Sequence, residues 1–444
     1  MAIRAKPVIA RDHCLAPDRV VDAPIYGGRY GRMFADLAPF SADEALLHMI
    51  GAAGGACDGT EAAEVEGSDD ATVAAGWPFV GQFVAHDITA DRSALQSRVD
   101  PTSLRNARSP TIDLECLYGD GPVGHPFLFE RRDPAKLLRS PGGDDLLRNF
   151  EGTAVIGDPR NDSHLVMTQM QLAFARAHNA FVDRARASGT SDALVFASAA
   201  RELRWNYQTA VLREFLPSLV GAPMVDGVLT NGRRFYRPEG EAYIPLEFAD
   251  AAYRYGHSQI RHLYTLNATE PPRRIFPDLV GFRPLPPECR IEWARFFDAG
   301  NSPSAQRAKK IDGRLVSSLI ALPNVMTGDT PVEEFHSLAV RDLERGQGVG
   351  LPSGEAVAAR MGETSLTREE IGAAEAGWRG ETPLWFYILR EADVRTGGNR
   401  LGPVGGRIVA EVLIGLLDLD PGSVRHAPAS WQPSASLVDI LSAL

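Results

Sequence analysis

This chain of 444 residues is short of cysteine, of positive charge and of long apolar runs. Its 4 cysteines form no Cys-X-X-Cys pair, so we expect reduced thiols rather than a disulfide framework. The net charge of −11 argues against nucleic acid as a partner. No segment approaches the roughly 18 apolar residues of a membrane span, and the N-terminus lacks the apolar core of a signal peptide. These absences predict a cytoplasmic protein without a membrane span.

The composition of the chain is typical of a soluble globular protein, with 44% hydrophobic and 23% charged residues. Short β-like pieces are expected around 223–237, and residues 91–150 are interpreted as ordered loop. The pattern predicts a mainly α-helical protein with long ordered loops, organised as one domain. Apolar spacing of three to four residues predicts the helices, at about 76–87, 161–187, 191–215, 245–265, 331–345, 353–361, 367–377, 383–393 and 403–417.

Two histidines stand out because each has a polar companion at helical spacing. In the segment Gly-Gln-Phe-Val-Ala-His-Asp, Gln82 and His86 are four residues apart and share a helix face, whereas Asp87 points elsewhere. His257 lies far downstream in Tyr-Arg-Tyr-Gly-His. Two histidines on separate helices suit a buried haem, with one ligand below the iron and one acid/base above it. A core histidine with satisfied hydrogen bonds is the ordinary alternative for His86.

The residues around His86 fit peroxide chemistry. A neutral imidazole takes a proton from hydrogen peroxide and returns it to the leaving oxygen, and a pKa near 6.5 suits both steps. Gln82 could orient peroxide or an ordered water. Arg160, in Gly-Asp-Pro-Arg-Asn, would stabilise the negative charge that grows as the O–O bond breaks. A capping turn explains the aspartate and proline of that motif but not the arginine.

A second group of residues surrounds His257. Arg254 lies three residues earlier and is a neighbour on the predicted helix, so it could pair with a haem propionate while His257 binds the iron. Gly256 would let the porphyrin approach the backbone. Glu355 is a candidate acceptor for the second ring N–H of His257. The alternatives are an aromatic-rich core helix with one buried histidine, and an exposed glutamate at a helix start.

Oxygen donors crowd the segment Arg-Ser-Pro-Thr-Ile-Asp-Leu-Glu. The side chains of Ser109, Asp113 and Glu115, with a loop carbonyl, suit a hard cation such as Ca²⁺. Asp87 could complete the shell and tie the helix of His86 to this loop. The alternative is a Ser-Pro turn that leads into an alternating strand.

These motifs, in this order, resemble the animal-type haem peroxidase superfamily, also called the peroxidase–cyclooxygenase family, and most of all its compact bacterial members. Further matches are Arg345-Gly with Gly-Leu-Pro-Ser-Gly, and Leu-Gly-Pro-Val-Gly-Gly-Arg-Ile-Val-Ala. The resemblance implies a mainly α-helical haem peroxidase domain over residues 25–437, folded around a central haem. Residues 1–24 would form an N-terminal arm and residues 438–444 a C-terminal tail.

The resemblance also implies roles for individual residues. His86, Gln82 and Arg160 match the family's distal histidine, glutamine and catalytic arginine. His257 matches the iron ligand and Arg254 the propionate arginine. The calcium loop is matched by a set of oxygen donors: Asp87, Ser109, Thr111 (through its carbonyl), Asp113 and Glu115.

Some positions depart from the family pattern. Mammalian members have two carboxylates that ester-link the haem, and here those positions hold Ala85 and Ser163. His164 stands where one branch has a sulfonium-forming methionine. We therefore expect haem b held without ester bonds. Where relatives have an asparagine or glutamine beside the iron ligand, this chain is aligned with Glu355, a carboxylate that would make His257 more imidazolate-like.

The fatty-acid dioxygenase branches need a tyrosine three residues before the iron ligand, where this chain has Arg254. Tyr253 and Tyr255 flank that position and are expected to face differently on a helix, which argues against cyclooxygenase-type chemistry. The expected function is a haem peroxidase that reduces hydrogen peroxide through a ferryl intermediate and oxidises a phenol, a halide or a dedicated metabolite. The alternatives are a haem-dependent oxygenase of a lipid or specialised metabolite, and a non-enzymatic haem-binding protein. Irregular segments 88–150 and 270–330 are expected to line the access channel.

Overall fold

A computed structural model describes the chain over residues 30–60, 70–90, 106–298, 304–372 and 379–442. The predicted N-terminal arm and residues 91–105 of the predicted loop lie outside this part. The described chain is mainly helical, as predicted. Its longer helices are Glu44–Gly51 (α1), Trp77–Ile88 (α2), Leu165–Ala187 (α3), Asp192–Ala210 (α4), Ala222–Asn231 (α5), Leu338–Gly348 (α6), Gly354–Met361 (α7), Leu384–Thr396 (α8) and Pro403–Leu419 (α9).

Short helical pieces connect the longer helices. The α-helical ones are Glu115–Tyr118, Gly121–Gly124, Leu216–Val220, Leu246–Ala249, Gly256–Gln259, Ser317–Ile320, Asn324–Thr327, Arg368–Ile371 and Leu437–Leu441, and Val211–Phe215 is a π-helical turn. The 3₁₀ turns are Pro126–Leu128, Pro159–Asp162, Ala252–Tyr255, Pro287–Cys289, Trp293–Arg295, Glu333–His336 and Val424–His426.

The strands are short and form three two-stranded ladders within the described residues. One ladder is parallel and two are antiparallel. The paired strands are Tyr30–Gly31 (β1) with Ile244–Pro245 (β3), Asp70–Ala74 (β2) with Arg307–Lys309 (β6), and Leu263–Tyr264 (β4) with Arg273–Arg274 (β5).

Helix α2 is buried along most of its length, which carries His86 into the core. Pro78 lies in its first turn, where the missing N–H costs no helical hydrogen bond. Phe83 is fully buried and stacks on Phe174 of α3, with ring centroids 4.4 Å apart. Because apolar residues surround it, α2 has almost no solvent-facing stripe, so its polar side chains must find partners inside the protein.

Helix α6 carries buried charged residues into the core from the other side. It packs against α1 and α8. Ser337 caps its N-terminus by accepting a hydrogen bond from the N–H of Val340. Arg341, Asp342 and Arg345 of this helix are all buried. Buried charges of this kind require partners, and those of Asp342 lie at the candidate site described below.

The structure differs from the sequence prediction at two places. The predicted β-like segment 223–237 is wrong, because α5 begins just after Gly221, whose φ of 86° separates it from the preceding helical piece. The predicted single helix 245–265 is also wrong. Ala251 has φ −141° and ψ −77°, outside the helical region, so the segment breaks into three short pieces before β4.

The C-terminal residues and the helix lengths bear on two further expectations. Residues 438–441 of the predicted tail belong to the short helix Leu437–Leu441, in which Leu437, Ile440 and Leu441 are buried and which packs on α3. None of the helices in the described residues has the length and hydrophobicity needed to cross a lipid bilayer.

Candidate functional site

His86 and His257 line the same cavity. It encloses about 1160 Å³ of space between protein atoms, a volume that includes solvent at its open side. The lining is largely apolar, with polar groups concentrated around the two histidines. Apolar side chains that line it include Phe79, Phe248, Ile260, Ile275, Phe276 and Leu319. Gln82, Arg160 and Arg254, three further residues predicted from the sequence, also line it.

His86 is held by a neutral amide. Its Nδ1 lies 2.7 Å from Oδ1 of Asn161, and Nδ2 of Asn161 donates to Oε1 of Gln171 at 2.8 Å. Because that second bond uses the amide nitrogen of Asn161, its oxygen must face the histidine and accept from Nδ1–H. A neutral imidazole with its proton on Nδ1 has its basic lone pair on Nε2. His86 is therefore prepared to accept a proton at Nε2.

Arg160 is fixed against the end of the helix that carries His86. Its guanidinium donates to the backbone oxygens of His86 at 3.0 Å and Thr89 at 2.6 Å, and to the carboxylate of Asp158. Arg108 pairs with the same carboxylate at 2.6 Å. Burial alone would raise the pKa of Asp158, but the charges of Arg160 and Arg108 outweigh it and hold that pKa below its ordinary value. The result is a rigid cation at the edge of the cavity.

A third histidine lies beside Gln82. His164 caps α3, with its Nδ1 accepting from the N–H of Met167 at 3.4 Å, and its Nε2 lies 2.9 Å from Oε1 of Gln82. Since Nδ1 accepts, Nε2 carries the proton and donates to the Gln82 oxygen, which leaves the Gln82 amide N–H₂ as the donor end. Burial, together with a smaller effect of the nearby His86, lowers the pKa of His164 to about 3. His164 is thus a neutral residue that fixes Gln82.

His257 is held by a carboxylate. Its Nδ1 lies 2.6 Å from Oδ2 of the fully buried Asp342 on α6. The other oxygen of Asp342 accepts from Nη1 of Arg254 at 3.0 Å. Arg254 also donates to Oδ1 of Asp250 at 2.7 Å and to the backbone oxygen of Ala249. With Nδ1–H given to a carboxylate, His257 presents Nε2 as a ligand atom.

The predicted role of Glu355 as partner of His257 is wrong. Its carboxylate accepts from the N–H of Thr382 at 2.8 Å and from the Thr382 hydroxyl at 2.7 Å. These bonds hold the start of α7 against the loop before α8. Asp342, 85 residues from His257, takes the position that the sequence prediction gave to Glu355.

Two of the predicted calcium ligands are carboxylates on adjoining segments, Asp87 being fully buried and Asp113 partly buried. Asp87 accepts from the N–H groups of Leu114 at 3.0 Å and Cys116 at 3.3 Å, which docks the end of α2 on the predicted loop. Burial, together with the charge of Asp113, raises the pKa of Asp87 to about 8. Burial also raises the pKa of Asp113. A buried carboxylate and a partly buried one that repel each other are suited to a cation between them.

The remaining predicted calcium ligands bond mainly to one another. The Ser109 hydroxyl lies 2.9 Å from that of Thr111 and donates to Glu115 at 2.7 Å. Arg108 pairs with the other oxygen of Glu115 at 2.9 Å. Within the described residues, no three of the carboxylates named here converge to within 4.8 Å of one another. The loop therefore brings the predicted donors together without arranging them as a complete shell, and the calcium site stays a prediction.

Both tyrosines that flank Arg254 line the cavity. The expectation that they face differently from Arg254 is therefore wrong at this cavity, because the segment is a 3₁₀ turn followed by a short helix rather than one continuous α-helix. The hydroxyl of Tyr253 is buried and makes no hydrogen bond within the described residues. Ala85 and Ser163 also line the cavity, and none of its lining residues in the described chain is an aspartate or glutamate.

The family model described as Animal haem peroxidase matches residues 122–353, more than half of the chain. The chain belongs to the animal haem peroxidase family. The matched region contains Arg160, His257 and the newly found Asp342. Two curated relatives are similar over parts of the chain: Probable oxidoreductase PXDNL of Homo sapiens at 32% identity and Peroxidase mlt-7 of Caenorhabditis elegans at 26%. The matches span 37% and 42% of this chain but only 12% and 27% of those longer relatives.

Two solved structures share the fold of this chain. Peroxidase A from Dictyostelium discoideum superposes with a TM-score of 0.64 at 15% identity, over 89% of this chain and 88% of that one. Fatty acid alpha-dioxygenase of Oryza sativa superposes with a TM-score of 0.63 at 16% identity, over 87% and 74%. At such identities the likeness concerns the fold, and it confirms the predicted mainly α-helical class.

Two site residues escaped the sequence prediction. Asn161 directly follows Arg160 in the Gly-Asp-Pro-Arg-Asn motif. Its position beside a predicted catalytic residue is the sequence feature that could have identified it. Asp342 lies one turn after Leu338 and one turn before Arg345, on a face of α6 that is buried. A carboxylate on a buried helix face must have a partner, but the helix pattern gives no indication of which histidine or arginine that partner is.

Proposed function

We propose that the cavity holds one haem b between His257 and His86, and that the protein is a peroxidase that reduces hydrogen peroxide and oxidises an organic or halide donor. We also propose that one haem peroxidase domain spans residues 25–437. The observation that carries the proposal is the shared cavity with two differently held histidines. His257 has its Nδ1 on a carboxylate and His86 has its Nδ1 on an amide.

The residues present fit a haem. A side chain added at Gly256 would meet no atom within 4 Å, so the backbone beside His257 leaves room for a flat group. The apolar lining suits a porphyrin face. Because the described lining contains no aspartate or glutamate, it offers no ester-forming carboxylate. These features support haem b held by His257 and packing rather than by ester bonds.

The proximal residues would set the strength of the iron ligand. Asp342 accepts the Nδ1 proton of His257, which increases the basicity of Nε2 and favours a strongly donating ligand. Arg254 holds Asp342 in place from the other side. Three guanidinium nitrogens of Arg254 already donate to protein acceptors, so we assign its main role to positioning Asp342. Pairing with a propionate remains a prediction.

The distal residues would move the proton and bind the peroxide. A bound haem supplies the iron that coordinates peroxide and the electrons that reduce it. Nε2 of His86 would take the proton from one peroxide oxygen and deliver it to the leaving oxygen. The amide N–H₂ of Gln82, oriented by His164, would donate to the peroxide. The fixed charge of Arg160 would stabilise the negative charge that develops during O–O cleavage.

We propose calcium as a structural ion at the loop that Asp87 and Asp113 share. The support is the docking of Asp87 on this loop and its repulsion by the partly buried Asp113, which a divalent cation would remove. Because Asp87 directly follows His86, an ion there would fix the end of α2. Dialysis against a calcium-specific chelator should then lower the thermal stability of the protein, and added calcium should restore it.

Oxygenation of an apolar substrate is the second candidate function, because Tyr253 has a buried hydroxyl that makes no hydrogen bond among the described residues and lines the cavity. A tyrosine in that position could donate a hydrogen atom. The fold match to fatty acid alpha-dioxygenase is compatible with it. Oxygen uptake with a fatty acid, in the absence of peroxide, would identify this function, and Tyr253→Phe should abolish it.

The optical spectrum of the purified protein tests the proposed function. We expect a Soret band, a rapid change of that band on adding peroxide, and peroxide-dependent oxidation of a phenol. No Soret band after haem reconstitution would overturn the haem assignment. A Soret band that peroxide leaves unchanged would overturn the peroxidase assignment and favour a binding protein. Mass spectrometry of the denatured protein should find no covalently retained porphyrin.

A further inference from the structure

A cluster of ligand-type side chains lies between α1 and α6, outside the cavity described above. Glu44 and His48 are four residues apart on α1 and share a helix face. Glu344 faces them from α6, which packs against α1. One ligand atom from each of the three side chains lies within 4.8 Å of the other two. The group therefore offers two carboxylates and one imidazole to a common point.

The contact between His48 and Glu344 does not have the form of a simple hydrogen bond. Nε2 of His48 lies 3.1 Å from Oε1 of Glu344, yet this nitrogen, although shielded from solvent, makes no hydrogen bond of acceptable geometry within the described chain. The His48 ring is positioned by an edge contact with Phe335, with centroids 5.5 Å apart. Nε2 of His48 and Oε1 of Glu344 are therefore close together without the geometry of a hydrogen bond. This arrangement suits two ligand atoms that bind the same metal ion.

We propose that Glu44, His48 and Glu344 bind one Zn²⁺. Zinc bonds of about 2.0–2.1 Å at tetrahedral angles place neighbouring ligand atoms about 3.3 Å apart, close to the observed separation of His48 and Glu344. One imidazole and two carboxylates is a donor set that zinc accepts, whereas calcium and magnesium prefer oxygen alone. The charges of the two carboxylates balance that of the ion. Since Glu44 is exposed, a water can occupy the fourth position.

The expected consequence is structural. Glu344 is two residues from Asp342, which is about 200° around the helix, so the zinc side and the cavity side of α6 are different faces. An ion shared by α1 and α6 would tie the N-terminal helix to the helix that positions His257. The zinc ion would therefore hold α1 and α6 together on the side of the cavity where His257 lies. The proposal does not depend on haem, because its ligands lie outside the cavity lining.

Zinc content and affinity of the tag-free holoprotein test the proposal. After dialysis against buffer with a small excess of Zn²⁺, elemental analysis should find one zinc per chain, and isothermal titration should give one saturable site. Zinc should also raise the melting temperature. Glu44→Gln replaces an exposed ligand, so it should fold normally and still weaken binding at least about tenfold. His48→Asn should weaken it further.

Glu151→Gln is the matched control, because Glu151 is exposed and lies outside the cluster. It should bind zinc as the wild type does. Zinc bound equally by wild type and Glu44→Gln, or by wild type and His48→Asn, would place the ion elsewhere and overturn the proposal. So would a titration of the wild type that never saturates, or one in which zinc leaves the melting temperature unchanged.

Discussion

The two sides of the cavity use the same side chain in different ways. His257 and His86 each have Nδ1 bonded to a buried side chain, at 2.6 Å and 2.7 Å. On the proximal side the acceptor is the carboxylate of Asp342, and on the distal side it is the amide oxygen of Asn161. The two Nδ1–oxygen distances are nearly the same, but the acceptor carries one negative charge beside His257 and none beside His86.

Under the proposed function, that difference in charge would distinguish the iron ligand from the base. A carboxylate acceptor increases electron density on the far nitrogen, which strengthens its bond to a metal. A neutral amide fixes the tautomer without stabilising the imidazolium, so the histidine can both accept and release a proton. The comparison teaches that the partner of each ring, rather than the ring itself, decides its role. Substitutions that exchange the two acceptors, or that remove either imidazole ring, test this comparison directly.

Removing the proximal ring should have the largest effect. His257→Ala loses the proposed iron ligand, so we expect a protein that purifies with little or no haem. The ratio of Soret to protein absorbance after reconstitution measures this. His426→Ala is the control, because His426 is exposed and should leave the ratio unchanged. Full haem retention in His257→Ala would remove that residue from its proposed role.

Removing the distal ring should leave the haem and slow its reaction. For His86→Ala we expect a near-normal Soret band and a rate of reaction with peroxide that falls by about 10² to 10⁴, the usual contribution of a positioned acid/base. Stopped-flow absorbance measures the rate. A wild-type rate in this variant would contradict proton transfer by His86.

Asp342→Asn makes the proximal partner an amide, like the distal one. The His257 ligand should become less basic, which raises the reduction potential of the iron, and haem affinity should fall about 10- to 100-fold as for other changes behind a metal ligand. Redox titration and haem transfer to an acceptor protein measure the two effects. Glu355→Gln is the comparison variant, because Glu355 bonds Thr382 instead, and it should leave both values unchanged.

Asn161→Asp makes the distal partner a carboxylate, like the proximal one. A negative charge beside Nδ1 stabilises the imidazolium and should raise the pKa of His86 by about 1 unit or more. The basic form that accepts the peroxide proton is then lost at a higher pH. The acid limb of the rate profile for peroxide reaction should therefore move to higher pH, and an unmoved limb would show that His86 is not the base.

The smallest effect concerns His164, the third histidine of the cavity. Its pKa of about 3 lies below the unfolded value near 6.5, so the native state favours the neutral form. Its contribution is complete above pH 6.5 and is lost as the pH falls toward 3, with a slope of at most about 1.4 kcal/mol per pH unit. In urea titrations between those pH values, His164→Asn should reduce this slope, whereas the exposed-site control His426→Asn should not.

The sequence was most informative where function depends on local spacing. Gln82 and His86 share one turn of α2, and Arg160 lies beside its capping aspartate, so neighbouring residues carried the signal. Arg254 and His257 were also paired correctly by proximity, although their segment is broken at Ala251. Apolar periodicity placed α2, α3, α8 and α9 closely, since long buried helices repeat one pattern many times.

The sequence was least informative about partners that come together only through the fold. Asp342 reaches His257 across 85 residues, and no spacing rule connects α6 with that segment. Glu355 was chosen because it is a carboxylate near a recognised motif, but its position on α7 directs it to Thr382. The orientation of Tyr253 was missed for a related reason, because three short pieces cannot be told from one helix by periodicity alone.

The iron–imidazole stretching band in the resonance Raman spectrum of the ferrous protein tests the central claim most directly, because its frequency reports the acceptor behind the bonded ring. The measurement compares wild type with Asp342→Asn and Asn161→Asp. A band that falls in frequency in Asp342→Asn and stays unchanged in Asn161→Asp would agree with iron bonded to His257 while His86 stays unbound. A band that responds to Asn161→Asp and ignores Asp342→Asn would contradict it.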